Sequence, residues 1–152
     1  MLTKSGVILE LNNSVESFVH FIQNLPEQDL KAQTWGPKEI LAHFVFWHEE
    51  YVLHLGATFK DRPYLLPQGH FDDLNALAVK KNARKSVSSL VKRFLRAQKR
   101  LNSLLVKATD ADLNQKLQFK EGTSPRTVLI GMDRVEAHIR EHLRKLQLIY
   151  GK

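Results

Sequence analysis

A chain of 152 residues, 43% hydrophobic and 26% charged, is sized for one domain and too apolar for a disordered polymer. A domain this long buries roughly 68–70% of its unfolded surface, so it folds without disulfides or a structural metal. The lack of cysteine excludes a disulfide framework and a thiolate metal site and suits a reducing, cytoplasmic setting, while a net charge of +7 means either an anionic partner or simply a soluble basic surface.

The start of the chain has no long apolar run of the signal-peptide kind. The longest apolar patch, Ile40 to Trp47, is interrupted by His43 and is too short to span a bilayer. No membrane partner is expected.

Four apolar-periodic stretches separated by breakers predict an all-α, antiparallel four-helix bundle, with residues 1–152 as a single domain. The first runs from about Val7 to Asn24, with Leu11, Val15, Phe18, Val19 and Ile22 at helical spacing and Pro26 as the stop. The second begins at Thr34-Trp35-Gly36-Pro37, with proline in the first turn. Its apolar face is Ile40, Phe44, Trp47, Tyr51 and Leu55. Gly56, Pro63, Pro67 and Gly69 make the segment from Gly56 to His70 read as a long loop, of the sort often used for function. A third stretch covers about Asp73 to Lys107, with a bend or break expected between Asn82 and Ser89, where weak helix formers gather. The fourth runs from about Pro125 to Tyr150, with Ser124 as the expected cap.

Of the seven histidines, two stand in a chemically informative pattern. His138 and His142 are four apart, so on a helix they share a face one turn apart and can reach one ion. His142 falls inside the apolar stripe of Val135, Ile139 and Leu146, and His138 at its edge. His43, at the margin of the second helix's buried face, is the natural third ligand. Three neutral imidazoles with one open position describe a catalytic zinc-type site, with water or another anionic donor in fourth place. The ordinary reading of a lone histidine near an apolar face is a hydrogen-bonded boundary residue, and His20, His48, His54 and His70 are read that way. Glu39 and Glu50 share the His43 margin, and either can serve its outer ring nitrogen or act as a general base, although a solvated or capping role is the commoner one.

The segment Trp35-Gly36-Pro37-Lys38-Glu39-Ile40-Leu41-Ala42-His43-Phe44 resembles the opening of the second helix in the DinB/YfiT-like superfamily. Ser124-Pro125-Arg126-Thr127-Val128-Leu129, followed by Glu136 to Leu146 with its spaced histidine pair, resembles that superfamily's last helix. Gly69-His70-Phe71-Asp72-Asp73-Leu74-Asn75 is similar to the ClbS/DfsB-type branch. Gly36 departs from the pattern, where serine or threonine is usual. The resemblance implies a four-helix bundle, a homodimer, and a nickel- or zinc-type ion on His43, His138 and His142. It also implies thiol-dependent transferase or isomerase chemistry using a small thiol or, in the ClbS-type branch, protection against a genotoxin.

No acidic residue lies between Asp73 and Asp110, and Lys81, Arg84, Lys85, Lys92, Arg96 and Lys99 recur at helical spacing. With no interleaved aromatics and no nucleic-acid motif, a solvated face is expected rather than a nucleic-acid site. Three functions follow from the sequence. The first is a metal-dependent transferase or hydrolase acting on a small electrophile, with Trp47 and Tyr51 as core residues or cleft walls. The second is a non-catalytic protein that sequesters or protects against a small molecule. The third is a module binding an anionic partner through the basic third helix.

Overall fold

A computed structural model describes residues 2–31 and 34–151. Helix α1 spans Lys4–Gln23. It starts before the apolar periodicity does because Thr3 caps it, Oγ1 accepting from the Gly6 amide at 3.1 Å. After Pro26 comes a single 3-10 turn, Glu27–Leu30. Helix α2 spans Pro37–Phe59 with proline in its first turn, so it runs through Gly56 and shortens the expected loop to residues 60–70. A glycine inside a helix costs about 1 kcal/mol against alanine. Burying a leucine is worth about 1.5–3 kcal/mol, and here Leu55 is fully buried while Phe59 packs on the core.

The third stretch divides in two, α3 at Phe71–Asn82 and α4 at Val87–Lys107. The anticipated weak point is a complete break. Ser86 caps α4 by accepting from the Ser89 amide. Asn82 turns its amide back to the Ala78 carbonyl and accepts from Arg93 at 2.7 Å. Thr109 and Asp112 form a reciprocal capping box on the short α5, Asp110–Asn114.

The start of the last helix differs from expectation. Arg126–Thr127 is extended as β2 and pairs antiparallel with β1, Lys116–Leu117, in the register Lys116 to Thr127 and Leu117 to Arg126. Helix α6 therefore begins at Val128 and ends at Tyr150, capped by Thr127 rather than Ser124. Residues 126 and 127 cannot serve both ladder and helix, and the Thr127 hydroxyl supplies the cap one turn later than Ser124 would have.

The long helices α1, α2, α4 and α6 enclose the core, which includes Leu11, Phe18, Ile22, Leu41, Phe94, Leu101, Met132 and Ile139. This is the expected all-α architecture. α1 lies against α6 and α4, and α2 against α4 and α3, whereas α2 and α6 meet only sparsely. That thin seam between α2 and α6 is where the functional side chains gather. No described helix is long and apolar enough to cross a membrane.

Candidate metal centre

His43 from α2 and His138 and His142 from α6 converge across the seam. One nitrogen from each ring lies within 4.8 Å of the others, and the Nε2 atoms of His138 and His142 are 3.0 Å apart. Ring centroids are separated by 5.3 Å for His43–His138, 5.8 Å for His43–His142 and 4.6 Å for His138–His142. Phe44 floors the group, its ring 5.4 Å from His142 and 5.9 Å from His138. It is locked in turn against Phe18 and Phe94 in the core, so the rings rest on a rigid apolar surface.

The hydrogen bonds around His43 settle its tautomer. The indole Nε1–H of Trp47, which can only donate, points at Asn75 Oδ1 at 2.7 Å. That atom is therefore the amide oxygen, and the second group reaching it at 2.7 Å, His43 Nδ1, must also donate. The proton sits on Nδ1, and Nε2 carries a free lone pair. Burial, partly offset by the Asn75 bond and reinforced by the neighbouring imidazoles, lowers the His43 pKa to about 4. Burial, His138 and Lys145 lower His142 to about 4 against a small opposing pull from Glu141. His138 is exposed along one edge yet desolvated enough by its neighbours that its pKa also falls, helped by Lys145. Two nitrogens 3.0 Å apart repel unless a proton or a cation lies between them. A neutral N–H of one ring or a bound cation meets that need, and three uncharged imidazoles are the donor set that a borderline ion of the zinc or nickel type takes.

A cleft of about 440 Å³ opens from His43 and His138. Trp47, Tyr51, Phe71 and Phe119 give it aromatic walls, and Lys120, Arg126 and Arg134 give it positive charge. Gly131 is the seat of Phe119. A Cβ there would stand 2.4 Å from the ring, so only glycine lets the β1–β2 loop lie this close to α6. Lys120 closes the opposite edge, its ammonium 4.7 Å from the Phe71 ring centroid.

The family model for the DinB superfamily matches residues 10–146. The chain belongs to the DinB superfamily. A crystal structure of a Streptococcus pneumoniae protein is similar in fold, with a TM-score of 0.75 over 98% of this chain and 94% of that chain at 16% identity. No curated protein matches the chain.

Within this DinB-superfamily fold, the remaining expected site residues disperse. Glu39 is buried in the first turn of α2, where its Oε1 has no hydrogen-bond partner among the described residues. Glu50 accepts from the Tyr64 hydroxyl. Neither carboxylate reaches His43, because that ring's outer nitrogen points off α2 toward α3 rather than along its own helix. Asn75 takes the role instead. Sequence reasoning touched Asn75 only as the end of a family-like segment, since a single asparagine on a separate helix carries no spacing signal. Trp47 and Tyr51 both line the cleft. His48 bonds Gln98 inside the bundle, His54 stacks on Tyr64, and His20 and His70 are exposed.

Proposed function

We propose that the protein binds a divalent ion of the zinc or nickel type through His43, His138 and His142. With that ion it acts as a thiol transferase or a hydrolase, bringing a thiol or water to a small electrophile in the adjoining cleft. The observation that carries this reading is the convergence of three imidazole nitrogens within 4.8 Å of one another, two of the rings, His43 and His138, lining a cleft. An ion bound there supplies Lewis acidity, which makes a thiol or water nucleophilic near neutral pH. Three uncharged ligands leave the ion's charge unneutralised, which favours an anionic nucleophile over a neutral one.

The chain's own groups have separable tasks. Asn75 holds the His43 ring in the ligating tautomer and, by also receiving the Trp47 N–H, locks the cleft wall to the same point. Phe44 keeps water from beneath the rings. Trp47, Tyr51, Phe71 and Phe119 offer aromatic faces to the electrophile. Burial pushes the Tyr51 hydroxyl pKa up, so it remains a protonated donor.

Metal analysis of purified protein tests the reading. Stoichiometric zinc or nickel is expected in the wild type after dialysis, and His138→Ala should lose it. A wild type that stays metal-free with either ion added would overturn the proposal. A loaded protein that binds an electrophile without consuming it in the presence of thiol would be a sequestering protein rather than a transferase.

A further inference from the structure

The positive side of the cleft has no counter-charge. Lys120, Arg126 and Arg134 all line it, and among the described residues no aspartate or glutamate does. Elsewhere Arg93, Arg140 and Arg144 pair with Glu49, Glu136 and Glu141, but none of the three cleft cations makes an ion pair among the described residues. Lys120 is only 8% exposed. Its ammonium donates to the Glu121 carbonyl at 2.9 Å and lies over Phe71, with no carboxylate paired to it among the described residues. An exposed unpaired cation is unremarkable, whereas a buried one is costly to keep. Three cations facing one concavity with apolar walls also focus a positive field into it.

Their order along the chain gives the cleft a direction. Arg134 and His138 are one turn apart on the same face of α6, about 6 Å along the axis. Arg126 stands just before the helix on β2, and Lys120 lies in the loop that packs back over Gly131. The imidazoles occupy one end of this line and the cations the other.

We infer that the cleft takes a small organic anion, whose carboxylate or phosphate is held by Lys120, Arg126 and Arg134 while the rest of the molecule reaches toward His43 and His138. The orientation rests on the metal-site reading above, and the anion subsite does not. Arginine suits the task because its planar fork meets carboxylate or phosphate with two parallel hydrogen bonds.

The test separates the two claims. In the first arm, succinate and inorganic phosphate are titrated calorimetrically into the full-length, metal-free protein. At least one should bind, the tighter of them naming the acidic group, and Arg126→Gln/Arg134→Gln should weaken it on the order of tenfold or more. The exposed Arg134→Gln alone should show part of the loss if the double variant melts early. Lys99→Gln/Arg100→Gln on α4 should bind as the wild type does. In the second arm, mercaptosuccinate and thioglycerol are titrated into cobalt-loaded protein while the thiolate charge-transfer band is followed. The acidic thiol should be preferred, and that preference should vanish with the two cleft arginines. No binding of either anion, equal binding in the double variant, or an equal loss in the α4 control would overturn the subsite. A protein that takes up no metal yet loses succinate only with the cleft arginines would sink the metal reading and leave the subsite standing.

Discussion

His43 and His48 sit on the same helix, α2, and are alike by every local measure. Both are buried, at 5% and 1% exposure. Burial lowers both to about pKa 4, and each is partly relieved by one side-chain amide, Asn75 for His43 and Gln98 for His48. Their company differs. His43 turns its free nitrogen toward two more imidazoles and an open cleft. His48 bonds Gln98 at 2.9 Å, and Gln98 continues to Asn12 and Asn102 in a closed polar network between α2, α4 and α1. A depressed pKa in a buried histidine therefore records desolvation, which a structural residue and a ligand share. What separates them is the convergence of further donors on one point.

The largest effect should come from exchanging the two histidines' fates. His142→Ala is expected to lower metal affinity by more than about a hundredfold, beyond the range typical of groups that only support a ligand. His48→Gln should leave metal uptake as in the wild type. Isothermal titration with zinc checks both, and equal losses in the two variants would erase the distinction.

Acid comes next. A histidine with an ordinary pKa near 6.5 unfolded and about 4 folded takes up its proton in the unfolded chain first. The stability it contributes is complete above pH 6.5, declines as pH falls toward 4, and changes no further below. For His48 the span corresponds to about 3 kcal/mol. Urea unfolding of the metal-free protein at pH 7 and pH 4 should show this loss, and His48→Gln should remove a comparable share of it. An unchanged pH dependence in the variant would mean that His48 does not carry this share.

The smallest effect sharpens the comparison from the supporting side. Asn75→Ala should weaken zinc binding by about 10–100-fold, because His43 loses its tautomer lock. Gln98→Ala should cost stability and leave zinc binding intact. Calorimetry beside a melting curve distinguishes the two.

Local periodicity made part of this site legible. The apolar stripe of the last helix placed His138 and His142 on one inward edge, and a spacing of four residues on a 3.6-residue helix puts two rings side by side wherever the helix packs. The all-α class was readable for the same reason, since four stripes with proline and glycine between them leave few other ways to bury apolar surface. The boundaries were less legible. Gly56 looked like an end until Leu55 and Phe59 showed what extending the helix buries. Ser124-Pro125 looked like a start until the β1–β2 ladder claimed Arg126 and Thr127.

The sequence by itself determined which faces are apolar, which histidine pair can share an ion, and which superfamily's helix openings the chain resembles, because each depends on residues a few positions apart. Only the tertiary structure decided that Asn75, rather than Glu39 or Glu50, holds His43, that His48 is sealed in a polar network, and that Lys120, Arg126 and Arg134 share a cavity with His43 and His138. Those relations join side chains from separate elements. They are set by how α2, α3, α6 and the β1–β2 loop pack together, which no spacing along the chain encodes.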